Sequence, residues 1–320
     1  MRLGRETYNS LLGHVPQLEA RAALISLTVS VVLLIIKFSA YWLTHSAAVL
    51  SDALESIANV VAAGFALYSV GLAHAPADPE HPYGHGKIEF ISAAFESGLI
   101  LLAGLFIAGH AIADLFRGPT VQRVDVGLVL LVVATVVNAG VGVYLILIGR
   151  RNTSYTLQAS GRHLLADALT TVVVLGALII IKLTGFLWTD PIMALLIAVY
   201  LMYLSSGLLR RSLGQLMDEQ DIADDLLIRG ILDSHLAPDG KPPQICSYHK
   251  LRHRHSGRYH WIDMHLMIPP SHDITSAHNL ASAIEYEVEQ AIGPGNATAH
   301  VEPCGDVKHG HVKTRMSKPE

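Results

Sequence analysis

Four polar residues in two strongly apolar stretches have the types and the spacing of a metal site. Asp52 and Ser56 are four residues apart in one stretch, and His163 and Asp167 are four residues apart in another. Residues i and i+4 share one face of a helix, so each pair would point in one direction. Carboxylate oxygen and imidazole nitrogen together suit zinc or another late divalent ion. The spacing therefore predicts a metal site between two helices, and the plainer alternative is two unrelated polar pairs that hold helices together.

The elements that must carry these residues are membrane helices. The chain has 320 residues, of which 51% are hydrophobic and only 16% are charged, with a mean hydropathy of +0.39. Apolar runs long enough to cross about 30 Å of hydrocarbon cover residues 22–43, 47–72, 91–113, 126–149, 164–183 and 191–209. Lys and Arg in the short loops concentrate on one side of this six-span arrangement. By the positive-inside rule, both termini are predicted to be cytoplasmic. As a separate expectation, the membrane is a bacterial inner membrane.

The sequence after the last span reads as a separate polar domain. It predicts the element order αββαβ, with helices near 221–236 and 276–292 and strands near 244–253, 258–268 and 298–302. In the second strand Ile262, Met264 and Leu266 alternate with polar residues, which predicts one buried face. We therefore expect an α-helical membrane protein with six spans over residues 1–217, a cytoplasmic domain over 218–305, and a disordered polar tail over 306–320. A net charge of −4 argues against nucleic acid as a partner.

Three motifs on this frame resemble those of the cation diffusion facilitator family of divalent-metal transporters. They are Ser-Asp-Ala-Leu-Glu-Ser at 51–56, His-Pro-Tyr-Gly-His-Gly-Lys at 81–87 and His-Leu-Leu-Ala-Asp at 163–167. The resemblance runs over about residues 21–303. It implies a transport site formed by Asp52, Ser56, His163 and Asp167, in which Ser56 stands where the family usually has a carboxylate.

Because Ser56 replaces a carboxylate, one ligand of the transport site is not determined by the resemblance. A water molecule, Asn59 or Glu55 could complete the metal shell, and the roles of Lys37 and Glu96 stay undecided. An imidazole ligand favours zinc or iron(II) over manganese, which prefers oxygen ligands. By hydropathy, the fifth span begins only at residue 164, so a shared site requires that helix to begin earlier, near Tyr155.

The same resemblance implies two further metal sites and a dimer. One site lies in the loop after the second span, and the other lies in the cytoplasmic domain. In the family this domain is a ferredoxin-like module, and metal bound to it draws two protomers into a homodimer. The implied loop ligands are Asp78, His81 and His85, and the implied cytoplasmic ligands are His249, His265, His278, His300 and Glu302. Other histidines of the domain, among them His253, His255 and His260, belong to no motif and are expected to be solvated.

The function implied is efflux of a divalent metal, zinc or iron(II), in exchange for protons. Moving a dication against an inside-negative potential costs roughly 4.6 kcal/mol per 100 mV, so another ion must flow back. Metal ligands must be deprotonated to bind and can take up protons afterwards, which makes protons the expected counter-substrate. No phosphate-binding loop ending in Gly-Lys-Ser/Thr is present. The alternative is a membrane-tethered metal sensor that transports nothing, although a sensor does not need ionisable groups in lipid.

The chain has two cysteines, Cys246 and Cys304, and cysteine is a further residue type that can bind metal. Two residues cannot make a disulfide framework, and in a cytosolic domain they are expected to stay reduced. We expect buried thiols rather than metal ligands.

Overall fold

The computed structural model describes residues 17–44, 47–117, 127–186, 188–236 and 244–305. The chain divides into two compact units, and each is described by itself. The first comprises Met1–Met217 with Ser256–Arg258, and the second comprises Asp218–His255 with Tyr259–Glu320. The predicted polar tail, 306–320, lies outside the described residues.

Six long helices of 25 to 30 residues form the first unit. They are α1 (Gln17–Thr44), α2 (Ala47–Ala73), α3 (Ile88–Arg117), α4 (Gly127–Arg151), α5 (Tyr155–Thr184) and α6 (Thr189–Leu216). Within the described residues, α1, α3, α4 and α6 each contain a stretch that is long and apolar enough to cross a membrane. The unit is therefore a helical transmembrane domain with four clear spans, and the full count of six stays a prediction.

Helix α5 begins at Tyr155, nine residues before its apolar run. The early start expected from the sequence is therefore present, and it places His163 in the third turn of the helix rather than in a loop. Close packing on α4 holds this end of α5. A Cβ on Gly161 would lie 2.7 Å from the carbonyl oxygen of Gly142, and one on Gly142 would lie 2.9 Å from the carbonyl oxygen of Gly161. The two glycines thus let the backbones of α4 and α5 approach each other closely.

The second unit has the predicted αββαβ order. Its elements are α7 (Ile222–Leu236), β1 (Ser247–Ser256), β2 (Tyr259–Ile268), α8 (Ile274–Ile292) and β3 (Gly295–Pro303). The three strands form one sheet in the order β1-β2-β3, and β2 and β3 are parallel. The predicted apolar face of β2 is buried and packs against Ile228, Leu232, Ile284 and Val288 of the two helices. Strand β1 begins three residues later than the sequence suggested.

The prediction of two reduced, buried thiols is wrong, because Cys246 and Cys304 form a disulfide in the structure. Cys246 precedes β1 and Cys304 follows β3, and both flank the end of the central strand β2. The Cys246 amide donates a hydrogen bond to the Met267 carbonyl oxygen (2.7 Å), and the Cys304 amide donates one to the Ile268 carbonyl oxygen (3.0 Å). The sheet therefore brings together two cysteines that are 58 residues apart. Cys246 is also exposed rather than buried.

Candidate metal centres

The first candidate centre lies between α2 and α5, where Asn59 bridges His163 and Asp167. The Asn59 Nδ2 donates a hydrogen bond to Asp167 Oδ2 (2.8 Å), and Asn59 Oδ1 lies 3.0 Å from His163 Nε2. His163 Nε2 and Asp167 Oδ2 are 4.0 Å apart, as expected for residues on one helix face. The structure thus brings together the imidazole and the carboxylate of the predicted α5 pair, and joins them through an amide on α2.

The hydrogen-bonding roles in this cluster follow from the chemistry of each group. An ionised carboxylate only accepts hydrogen bonds, so the Asn59 group that faces Asp167 is the NH2. The amide oxygen then faces His163, and His163 Nε2 must carry a hydrogen in order to donate to it. A metal ion that binds His163 Nε2 must displace that hydrogen.

The α2 members of the predicted transport site are placed only in part. Asp52 belongs to α2, but its side chain lies outside the described residues, as does that of Glu55. Ser56 is buried on α2, one helical turn before Asn59. Asn59, which the sequence left as one of three possible additions to the shell, is the α2 residue that contacts both α5 groups.

Glu96 on α3 lies at the side of this cluster. It is buried and accepts a hydrogen bond from Ser160 Oγ (2.5 Å). Glu96, Ser160, His163 and Asn59 line a small cavity together with residues of α1 and α2. A third ionisable group therefore belongs to the surroundings of the site.

The second candidate centre is the loop between α2 and α3. Asp78 Oδ1 lies 3.1 Å from His81 Nδ1, and Asp78 Oδ2 lies 3.3 Å from His85 Nε2. The loop is folded around this aspartate, because the backbone amides of Glu80 and His81 both donate hydrogen bonds to Asp78 Oδ1. The hydrogen bond from the His81 amide, ahead of its imidazole and that of His85, lowers the pKa of Asp78 below its ordinary value. An ionised carboxylate and two imidazoles thus converge where the sequence placed them.

The third candidate centre lies on the sheet of the second unit. His265 on β2 donates from Nδ1 to Glu302 Oε1 on β3 (2.7 Å), and His249 Nε2 on β1 lies 3.5 Å from Glu302 Oε2. The hydrogen bond from His265 lowers the pKa of Glu302 below its ordinary value. The structure therefore brings together one ligand from each strand of the sheet.

The two other residues predicted for this centre lie at different distances from it. His300 pairs with His265 in the β2–β3 register, and its Nε2 is 3.8 Å from Glu302 Oε1. Its side chain is 66% exposed, so it stands at the open edge of the cluster. His278 is exposed on α8 and is not a member of the three-residue cluster.

A fourth cluster was missed by the sequence reasoning. Asp224 in the first turn of α7 lies beside His255 at the end of β1 and His260 at the start of β2. The expectation that these histidines are solvated is wrong: His255 is 8% exposed, and His253, two residues earlier, is 4% exposed. Burial, followed by the charge of His255, lowers the pKa of His260 to about 4, so its imidazole is neutral at pH 7. Burial also lowers the pKa of His253. No spacing rule links residue 224 to residues 255 and 260, and only the density of histidines signalled this region.

The ligand geometry of the loop centre and the sheet centre suits a small dication. Tetrahedral zinc bonded to nitrogen and oxygen at roughly 2.0–2.2 Å separates its ligand atoms by about 3.4 Å. The carboxylate-to-imidazole distances of 3.1 and 3.3 Å in the loop and 2.7 and 3.5 Å on the sheet lie close to that value. Small side-chain movements would therefore suffice to hold an ion.

Comparison with known proteins gives the class of function that the sequence implied. Residues 23–217 match the cation efflux transmembrane domain, and residues 241–304 match the cytoplasmic domain of the cation efflux proteins, which is a dimerisation domain. An uncharacterized transporter of Synechocystis is 32% identical over 89% of this chain and 91% of its own length. The cation-efflux pump FieF of Cronobacter sakazakii is 28% identical over 91% of this chain and 95% of its own length. Protein p34 of Rickettsia rickettsii is 23% identical over 90% of this chain.

The predicted resemblance is thus confirmed over both units. The transmembrane match alone covers more than half of the chain, and the relatives align with it over nearly their whole length. With its apolar helices and these matches, the chain belongs to the cation efflux family and is a multi-pass membrane transporter of divalent metal ions rather than an enzyme.

Proposed function

We propose that this transporter exports zinc or iron(II) from the cytoplasm in exchange for protons by alternating access. The observation that carries the proposal is the contact of His163 and Asp167 with the amide of Asn59 inside the helical unit. Asp52 and Ser56 complete the proposed transport site. Both protomers of a homodimer would carry such a site, with their termini in the cytoplasm of a bacterial inner membrane.

Proton exchange follows from the hydrogen on His163. Nε2 donates to Asn59 when no metal is bound, and the same atom is the ligand that would face the ion. When the metal-free ring is imidazolium, with hydrogen on both nitrogens, metal and proton compete for Nε2, and metal binding leaves a neutral ring with its hydrogen on Nδ1. Each turnover can then release one proton to one side and take one up from the other. One proton entering for each dication leaving halves the electrical cost of about 4.6 kcal/mol per 100 mV.

The choice of metal rests on the ligand types. His163 supplies nitrogen, which favours zinc or iron(II) over manganese, and neutral Ser56 replaces a carboxylate. Cobalt and nickel share the preference for mixed nitrogen and oxygen ligands, so they are competitors. The loop centre of Asp78, His81 and His85 would bind metal outside the apolar core of the helices.

The experiment that tests the proposal is transport by the purified chain in liposomes that enclose a pH-sensitive dye. With zinc added outside and the membrane potential clamped, antiport predicts that the lumen becomes alkaline as zinc enters. Passive flow of zinc predicts no change in luminal pH. Zinc, iron(II), manganese, cobalt and nickel are offered separately, and we expect zinc and iron(II) to exceed manganese.

Two variants tie the flux to the proposed site. Asp167→Asn should reduce the zinc-driven pH change to the level of protein-free liposomes. Asp114→Asn is the matched control, because Asp114 is an exposed aspartate of α3 and should leave the flux unchanged. Full transport by Asp167→Asn would show that the site is assigned wrongly. Ser56→Asp should alter the ranking of metals, and an unaltered ranking would remove Ser56 from the shell.

We also propose that metal at the sheet centre of the second unit regulates transport. Glu302, His249 and His265 form the cluster, and His300 and His278 are further donors near or beyond its edge. Metal bound there would draw the two protomers together and bias the transport unit, which requires a different metal affinity in its two states. His265→Ala should weaken the zinc-induced approach of labels on the two protomers, and an unchanged approach would contradict this role.

A further inference from the structure

The fourth cluster, Asp224 with His255 and His260, lies at the hairpin end of the sheet. His255 is the residue before the last of β1, and His260 is the second residue of β2, so the short connection sets the two imidazoles beside each other. Their ring centroids are 3.9 Å apart, with the planes at 77°. Asp224 comes from a different element, the first turn of α7. Two strands and a helix therefore contribute one side chain each.

The ligand atoms of this cluster converge on one point. His255 Nε2 lies 3.0 Å from Asp224 Oδ2, and His260 Nε2 lies 3.5 Å from the same oxygen. All three ligand atoms are within 4.8 Å of one another. The distances of 3.0 and 3.5 Å lie on either side of the separation of about 3.4 Å that tetrahedral zinc imposes on nitrogen and oxygen ligands.

Neighbouring interactions explain why Asp224, among several acidic residues, faces the histidines. Asp221 caps the helix by accepting a hydrogen bond from the Ala223 amide (2.8 Å). Asp225 forms an ion pair with Arg229 at 2.8 Å. Asp224 lies between these two, and its carboxylate is the one that reaches the two imidazoles. The side chains of His255 and His260 are only 10% and 13% exposed, so their positions are fixed by packing.

We propose that Asp224, His255 and His260 form an additional binding site for a divalent transition-metal ion of the zinc type. Two imidazole nitrogens and one carboxylate oxygen would supply three ligands, and water can occupy the fourth position. The site does not depend on the proposed transport mechanism.

The proposed ion cannot be shared with the sheet centre. His249 belongs to that centre and His255 to this one, and six residues of extended strand separate them by about 20 Å along β1. Metal at the hairpin end would join the N-terminal turn of α7 to the β1–β2 hairpin, whereas metal at the sheet centre joins the three strands. The two ions would therefore stabilise different parts of the unit.

The test counts zinc bound to the full-length chain in detergent, by equilibrium dialysis and elemental analysis. His255→Gln and His260→Gln should each lower the count by about one ion per protomer. Asp224→Asn keeps the shape of the side chain and removes its charge, so it should keep the fold and lower the zinc affinity of one site at least tenfold. The matched controls are His272→Gln, which alters an exposed histidine, and Asp225→Asn, which alters the adjacent aspartate. Both variants should bind as many zinc ions per protomer as the unaltered chain.

A second measurement separates loss of the site from loss of the fold. Asp224→Asn should unfold cooperatively without metal, and added zinc should raise the melting temperature of the variant less than that of the unaltered chain, each compared with its own metal-free value. The proposal is overturned if His255→Gln and His260→Gln bind as much zinc as the unaltered chain. It is equally overturned if Asp225→Asn loses the same ion, because the effect would then follow helix charge rather than ligation.

Discussion

Replacing Asn59 by aspartate should add one proton to the metal-free transport site. The Asn59 Nδ2 lies 2.8 Å from Asp167 Oδ2, so Asn59→Asp sets two carboxylates side by side. At an effective dielectric constant of 20, two negative charges repel by about 6 kcal/mol at this distance, and still by about 4 kcal/mol after relaxation to 4 Å. About 1.4 kcal/mol corresponds to a factor of ten in the protonation equilibrium, so a repulsion of about 4 kcal/mol strongly disfavours the state in which both carboxylates are ionised. The pair should therefore keep one shared proton at pH 7. A dication neutralises both carboxylates and releases that proton.

The assay measures protons released per zinc bound, in weakly buffered detergent solution. We expect the Asn59→Asp variant to release about one proton more than the unaltered chain and to bind zinc more tightly. The control is Asn138→Asp, which puts a carboxylate in place of a buried amide on α4. It should release no additional proton when zinc binds. An unchanged proton count in Asn59→Asp would refute the reasoning, because it would mean that zinc does not bind beside Asp167.

Three further predictions concern the second unit. Glu302→Gln should weaken zinc binding at the sheet centre at least about tenfold, measured by competition with a chelating dye. Loss of a residue that only supports a metal ligand by a hydrogen bond typically lowers metal affinity by about 10–100-fold, and loss of a ligand itself should lower it by at least as much. Asp273→Ala should destabilise the unit in urea unfolding, since Asp273 caps α8 through a hydrogen bond from the Ser276 amide (2.7 Å). Hydrogen bonds from the Ser276 side chain and then from its amide lower the pKa of Asp273 below its ordinary value of 3.8, so the stabilisation is present above about pH 4 and is lost as the pH falls through the lowered pKa; a destabilisation by Asp273→Ala that is as large at strongly acidic pH as at neutral pH would contradict it. Reducing the bond between Cys246 and Cys304, which closes a loop of 58 residues, should lower the free energy of unfolding by up to about 4 kcal/mol, and a transition unaffected by reductant would contradict this.

Much of the fold could be predicted because its signals are local. Apolar runs indicated the membrane helices, and the alternation of Ile262, Met264 and Leu266 indicated the buried face of β2 that the structure confirms. The element order of the second unit followed from the same patterns. The start of α5 was less visible, because its first nine residues are polar enough to resemble a loop. The structure extends the helix to Tyr155, where close contact between Gly142 and Gly161 packs it on α4.

Spacing by itself predicted only the two pairs of the transport site, whereas the loop and sheet centres were predicted through the resemblance to the family. His163 and Asp167 are one helical turn apart, so their spacing placed them together, whereas the loop site of Asp78, His81 and His85 was implied by the resemblance. The role of Asn59 was left open, because it depends on how α2 packs against α5 more than a hundred residues later.

The sequence by itself therefore determined which chemical groups are available and which helices and strands carry them, since hydropathy and periodicity act over a few neighbouring residues. Only the tertiary structure decided the partners across elements: the amide between His163 and Asp167, the disulfide across the sheet, and the cluster around Asp224. The physical reason is that each of these contacts joins residues more than 30 positions apart, and their meeting depends on the packing of the intervening helices and strands.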